Sequence, residues 1–246
     1  MSSRPELKVD WCSHEATRYA VEHWHYSGIL PTAPYVRVGA WENGEFIGVV
    51  LFSRGNARDA GKSFGLGPTE IAEVTRIALR EHVTPVSRIL TIAVRFLKDR
   101  CPGIRLLVSY ADPNHGHHGG IYQAAGWVYV GQTAPSRMYL APDGKVWHQR
   151  MISVSGRRRA YGKWCAVWKP EQCEAIPLVG KLKYLLPLDD EMRALIEPMR
   201  KPYPKRECVR SAESGTTATS SRGRCETTRT LHFEGVDGER CYQSDV

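Results

Sequence analysis

Residues 103–132 read GIRLLVSYADPNHGHHGGIYQAAGWVYVGQ. Nine residues, GIRLLVSYA, form an almost unbroken apolar run of strand length. Asp112-Pro113 breaks it, because the residue before proline is driven out of helical backbone and proline offers no N–H to a ladder. Three histidines and three glycines follow, and then GGIYQAAG (119–126) reads as a short helix stopped by glycine. WVYVGQ (127–132) resumes as an aromatic strand. A buried strand, a polar break, a short helix and a second strand are therefore packed into thirty residues, and the break places its polar residues at a strand's C-terminal end, where α/β proteins bind ligands.

Working outward, TPVSRILTIAVRFLKDR (84–100) predicts an amphipathic helix with Thr84 as N-cap, Pro85 at N1 and a stripe of Ile89, Ile92, Ala93, Phe96 and Leu97. TEIAEVTRIALR (69–80), rich in Val, Ile and Thr, predicts a strand. YVRVGAW (35–41) and FIGVVLFSR (46–54) flank Asn43-Gly44, a strong hairpin signal. HEATRYAVEHW (14–24) predicts a first helix capped by Ser13. A Gly-rich loop, GNARDAGKSFGLG, joins the hairpin to the third strand. The order predicts a mixed α/β layer architecture with helices on a central sheet. Residues 207–246, rich in Ser, Thr, Gly and charge and without apolar period, predict a disordered tail.

Composition fits a soluble globular chain: 246 residues, 42% hydrophobic and 24% charged. No run approaches the roughly 18 apolar residues that span a bilayer, and the N-terminus lacks the apolar segment of a signal peptide. Seven scattered cysteines without a CxxC pair predict reduced thiols in a cytosolic protein. The net charge is +8; residues 206–246 hold six Lys/Arg and seven Asp/Glu, so residues 1–205 carry +9. A basic folded surface favours a polyanionic partner. SGRRRAYGKWCAVWK (155–169) sharpens this by interleaving five basic residues with Tyr161, Trp164 and Trp168. Arg157, Arg158, Arg159, Lys163 and Trp164 are the candidate DNA contacts, against a basic solvated hairpin whose tryptophans are core. RKPYPKR (200–206) extends the same reading.

The element order resembles the GNAT (N-acetyltransferase) fold over about residues 10–140, and IYQAAGWVYVG resembles its ending. That resemblance implies an α/β (α+β) fold, a central mixed, mostly antiparallel sheet flanked by helices. It also implies a pyrophosphate-binding turn before the helix at residue 85, with Arg80, Thr84, Ser87 and Arg88 as cofactor-binding candidates for acetyl-CoA or a related donor. The matching stretch, LREHVTPVSRIL (79–90), contains no glycine, which departs from that family's pattern. HYSG (25–28), EVTRIAL (73–79), LVSYADPNHGHHGGIYQAAGW (107–127) and KYLLPLDDEMRALIEPMRKPYPKR (183–206) together resemble the Mom adenine-modification proteins of Mu-like phages. This implies a transferase that converts adenine N6 in double-stranded DNA to a carbamoylmethyl derivative, protects viral DNA from host restriction enzymes, and works in the host cytoplasm. Residues 1–206 are then a DNA-modification domain, with a core over 10–140 and a basic extension over 141–206. A conventional acyl-CoA N-acyltransferase and a non-enzymatic basic DNA-binding protein are the alternatives.

An adenine modifier must flip its base from the stack. The candidate catalytic residues are His25, Tyr26, Ser27, Arg76, Ser109, Asp112 and Tyr122. His25 offers a base or metal ligand, against a histidine packed on Trp24; Tyr26 offers stacking or proton transfer. Asp112 offers a hold on the adenine amino group, against an Asx-turn. Tyr122 matches the tyrosine that protonates the departing thiolate in many GNAT enzymes. Arg76, charged amid apolar neighbours, requires a partner: Glu73 or a substrate anion. His115 and His117 admit a metal pair only in extended backbone, with Asp112 as third ligand and iron as a candidate, against a solvated loop with pH-sensitive charge.

Overall fold

The computed structural model describes residues 4–54, 61–160 and 162–205. The tail from 207, Tyr161 and part of the Gly-rich loop lie outside the described residues. The chain runs β1 (Leu7–Trp11), α1 (His14–Trp24), β2 (Tyr35–Glu42), β3 (Glu45–Ser53), β4 (Ile71–Leu79), α2 (Val86–Arg100), β5 (Leu106–Ala111), α3 (Gly120–Ala124) and β6 (Val128–Gln132). It continues through β7 (Ser136–Leu140), β8 (Val146–His148), β9 (Arg157–Ala160), β10 (Lys163–Ala166), β11 (Glu174–Leu178), β12 (Leu182–Pro187) and α4 (Asp190–Ile196).

Seven strands form one sheet in the order β1-β2-β3-β4-β5-β12-β6. Every neighbouring pair is antiparallel except β4 and β5, which run parallel. This is the mixed, mostly antiparallel α+β sheet the sequence predicts. The β2–β3 hairpin turns through Asn43 (φ 51°) and Gly44 (φ 83°), the left-handed pair that a twisted two-residue hairpin requires. Ser13 caps α1 by accepting from the Ala16 N–H, and the helix buries Thr17, Ala20 and Val21. Helix α2 buries Ile89, Leu90, Ala93, Val94 and Leu97 against a core that includes Val50, Phe52, Leu107, Trp127 and Tyr184. Ile92 and Phe96, expected in its apolar stripe, are only half-buried.

Three features depart from the sequence reading. Pro85, not Thr84, is the N-cap of α2; Thr84 is buried one residue earlier. Strand β12 enters the sheet between β5 and β6, so residues well past 140 complete it. Cys12, Cys101 and Cys173 are free thiols as expected, but Cys165 is disulfide-bonded. No helix among the described residues is long and apolar enough to cross a membrane.

Candidate functional site

The parallel ladder between β4 and β5 runs from Ile71 opposite Leu106 to Val74 opposite Ser109. Just beyond, β4 bulges against β3: Leu51 faces Arg76 and Phe52 faces Val74, leaving Thr75 as the extra residue. A bulge bends its strand and re-aims the side chains after it. Strand β5 ends two residues past Ser109, where Asp112-Pro113 forces a turn. The two strands part, and a cleft of about 590 Å³ opens there. Its walls come from the end of α1 (Trp24, His25, Tyr26), from β4 beyond Val74, from Tyr110–Asp112, and from Gly116–Tyr122.

The structure thus gathers His25, Tyr26, Arg76, Asp112 and Tyr122 around one cleft, although they are scattered over nearly a hundred residues. Ser27 and Ser109 stand behind it. The Ser109 hydroxyl is fully buried and donates to the Val74 carbonyl (3.2 Å) at the base of the splay. The Ser27 N–H donates to Nδ1 of His25 (3.1 Å), and its hydroxyl lies 2.8 Å from the same atom. Nδ1 is therefore the acceptor, and the neutral ring carries its proton on Nε2.

Burial first, then the nearby charges of Arg76, His117 and His115, pull the His25 pKa from 6.5 down to about 3. His25 is thereby a neutral N–H donor at physiological pH and a weak base. A stability consequence follows. Between pH 6.5 and about 3 the unfolded chain protonates this imidazole while the folded chain does not; stability therefore falls as pH drops through that window. Chemical denaturation of wild type and His25→Gln across these pH values is expected to show a shallower pH slope for the variant.

Asp112 lines the cleft and also organises its own loop, as an Asx-turn would. Its Oδ1 accepts from the Asn114 backbone (3.0 Å) and side-chain (2.8 Å) N–H groups, and its Oδ2 meets Lys181 Nζ at 3.1 Å and His115 Nδ1 at 3.5 Å. This is the Asx-type cap of the short 3-10 turn Pro113–His115. Asn114 in turn brackets Val179, donating to its carbonyl (3.0 Å) and accepting from its N–H (3.1 Å), which ties the loop to the β11–β12 connection.

The histidines do not gather around a metal. The Tyr26 ring lies 4.5 Å from that of His115 and 5.3 Å from that of His117. Among the described residues no group of three or more His, Cys, Asp or Glu side chains is arranged to hold a metal ion, so the candidate set of His115, His117 and Asp112 has no counterpart there. His117 keeps an exposed edge, as a solvated loop would, yet burial of the rest of the ring, then His115, holds its pKa below the usual range. Tyr122 is buried against Trp127 (5.2 Å) and Tyr184 (5.3 Å). Burial pushes its phenol up to about 12 despite a hydrogen bond with Ser109, so it stays protonated.

The cofactor-binding expectation fares differently. Arg80, Thr84, Ser87 and Arg88 do not line the cleft. The Val83 and Thr84 N–H groups, at the turn where a pyrophosphate was expected, donate to Oε2 (2.9 Å) and Oε1 (2.7 Å) of Glu42. Arg80 pairs with Glu45 on the surface. An internal carboxylate already takes the Val83 and Thr84 amides, so those two N–H groups are not open to a pyrophosphate.

Strands β9 and β10 form a separate two-stranded sheet in which Trp164 is paired with Arg159 and Ala166 with Arg157. Trp164 is 66% exposed, so it is not a core tryptophan. Arg157, Arg159 and Lys163 are exposed as well, whereas Arg158 is partly buried, with Nη1 2.6 Å from the Met151 sulfur. Arg158 is accordingly withdrawn from the basic face.

Sequence reasoning missed the roles of Tyr110 and Lys181. Tyr110 lines the cleft and is pushed up to about 12 by burial and then Glu73. Its signal was its place at the end of β5. Lys181 had none, since β12 carries it in from far along the chain.

A mixed, mostly antiparallel α+β sheet, opened into a cleft where its two parallel strands part, defines the class. Within that class the chain belongs to the Mom protein family, whose model matches residues 6–205. It is similar to methylcarbamoylase Mom of Escherichia phage Mu, 23% identical over 163 residues, which cover 63% of this chain and 67% of that one. Among solved structures it is similar to an IAA acetyltransferase from Bacillus cereus, with 12% identity, 74% of this chain and 100% of that one covered, and a TM-score of 0.41. It is also similar to FeeM, an N-acyl amino acid synthase from uncultured soil microbes, with 13% identity, coverage of 79% and 97%, and a TM-score of 0.42.

Proposed function

We propose that the chain is a DNA-modifying transferase that places a carbamoylmethyl group on N6 of an adenine flipped out of double-stranded DNA. In this reading it acts in the cytoplasm of an infected bacterium and shields phage DNA from restriction. The observation that carries the reading is the cleft itself. Its volume, about 590 Å³, lies within the usual range for ligand pockets of roughly 300–1,000 Å³ and leaves space beside a purine for a transferred group. Aromatic rings of His25, Tyr26 and His117 lie together on one side of it, 4.3–5.3 Å apart, which suits the face of a base. The adenine amino nitrogen is a weak nucleophile because its lone pair is delocalised into the ring. Around the cleft a neutral imidazole, a guanidinium and protonated phenols supply donors that stabilise charge developing on the group being transferred. Mass spectrometry of nucleosides from DNA of cells expressing the chain tests this. A carbamoylmethyl adduct on deoxyadenosine is expected; unmodified deoxyadenosine at verified expression would sink the reading.

The β9–β10 hairpin is the proposed DNA contact, with Arg157, Arg159 and Lys163 on phosphates and Trp164 stacking. Replacing the three cations with glutamine should reduce the slope of log affinity against log salt by about one unit for each phosphate no longer neutralised. Trp164→Ala should weaken binding by about 1–3 kcal/mol and leave that slope unchanged. Fluorescence anisotropy with duplex DNA at several salt concentrations reads both quantities.

A further inference from the structure

We propose that Arg76 forms a phosphate-binding subsite within the cleft, and that the phosphate it takes is that of the extruded nucleotide. The assignment rests on the adenine reading only for the source of the phosphate; the subsite follows from the geometry alone.

Arg76 stands one residue past the β4 bulge and lines the cleft. Two neutral carbonyls hold its guanidinium. Nε–H donates to Ile29 O (3.3 Å), on the loop that follows α1, and Nη1–H donates to Thr75 O (2.8 Å). A guanidinium carries five N–H groups in a planar fork, so these contacts fix its orientation and leave three donors, both on Nη2 among them.

No carboxylate among the described residues lies within the 4.0 Å of an ion pair with Arg76. Glu73 and Tyr26 act on it only from farther away. The cleft's own anion, Asp112, is already matched by Lys181 at 3.1 Å. His25 and His117 are held neutral, so among the described residues no close anion balances the charge of Arg76. A half-buried cation without a counter-ion is penalised in a site of reduced dielectric. A ligand oxyanion recovers that cost, and a guanidinium fork matches phosphate oxygens two at a time. A flipped nucleotide brings such a phosphate with its base, and Tyr26, whose ring belongs to the proposed base-binding side, is one of the groups close enough to act on Arg76.

The test is thermal melting of the full chain at constant ionic strength, with inorganic phosphate as the probe and wild type, Arg76→Lys and Arg76→Gln as the proteins. Phosphate should raise the wild-type Tm, since a ligand that binds only the folded state stabilises it. Arg76→Gln should weaken phosphate by about ten-fold or more, as loss of a charge-assisted fork does, and Arg76→Lys should retain part of the effect. An equal rise in wild type and Arg76→Gln would mean binding to the basic surface, and no rise in wild type would mean no subsite; either overturns the proposal. If Arg76→Gln does not fold, displacement of the wild-type Arg76 Nε–H resonance by phosphate supports the subsite, and its invariance removes it. A larger rise with dAMP than with deoxyadenosine assigns the phosphate to the nucleotide. A rise with coenzyme A but none with dAMP overturns that source and assigns the subsite to a donor. Because these readouts detect no modified base, they fail or succeed independently of the nucleoside mass spectrum.

Discussion

Tyr184→Ala is expected to cost about 3–5 kcal/mol, as truncation of a large buried aromatic does, and this is a large share of the roughly 5–15 kcal/mol that holds a domain folded. Tyr184 is fully buried on β12, between β5 and the edge strand β6. Its ring lies 5.3 Å from both Tyr122 and Tyr129. Its hydroxyl donates to the His118 carbonyl (3.0 Å) and accepts from Gln123 Nε2 (3.0 Å). The ring also rests on Gly119, where a Cβ would come within 2.3 Å of it and where φ is +78°. One side chain therefore supports α3 and the loop that walls the cleft. Tyr184→Phe separates the two roles. It keeps the ring and removes the hydroxyl, which should cost about 1–3 kcal/mol and leave the His118 carbonyl with only the longer bond from Gln123 Nε2 (3.2 Å). Urea denaturation reads the stability. Hydrogen exchange at Gly119 and Gly120 reads the loop, and should quicken in Tyr184→Phe beyond what global unfolding accounts for. If Tyr184→Ala melted like wild type, the loop would be held by something else.

Tyr184 also marks the limit of what local patterns carry. Period, caps and turn residues were enough for α1, the β2–β3 hairpin, α2 and the β5–α3–β6 unit, because each is specified by its own residues. The place of β12 is not so specified. KYLLP is a short apolar run that suits several positions, and only tertiary pairing puts it between β5 and β6. The same logic moved the cap of α2. Thr84 is a good N-cap by type, but Glu42, immediately before the hairpin turn, takes its N–H, and the long-range bond outweighs the local preference. In the site, helix and strand ends pointed to His25 and Asp112, a charge amid apolar neighbours to Arg76 and the family resemblance to Tyr122, and all four line one cleft. Their charge states were not legible. His25 becomes a neutral donor because Ser27 occupies Nδ1 and burial excludes a second proton. Asp112 is held ionised in its loop because Lys181, the residue before β12, reaches it.

Asp112→Asn is expected to lower stability as well as activity, and the pH dependence of the loss identifies its cause. Asparagine keeps an oxygen for the two Asn114 bonds but places an amide N–H where Oδ2 faced Lys181 and His115. Lys181 is half-exposed, so its ion pair is screened and counts for little by itself. Mispairing at a buried position, and the strain it passes to Asn114, should cost about 1–3 kcal/mol. Burial alone would raise the Asp112 pKa. The Asn114 and Lys181 contacts outweigh it and hold the folded value below 3.8. Above that ordinary value both folded and unfolded chains are ionised, and the stabilisation is fully present. As pH falls below it, the unfolded chain protonates first, and the advantage is gone once pH has passed through the folded pKa. The difference in unfolding free energy between wild type and Asp112→Asn should therefore be level from neutral pH down to about pH 5 and shrink in more acid buffer. A difference that stays level in acid would exclude the carboxylate's charge as its source. A variant that folds as stably as wild type yet leaves deoxyadenosine unmodified would return Asp112 to the chemistry. Loss of stability and of modification together, with stability converging on wild type in acid, assigns Asp112 to holding the loop on which the cleft is built.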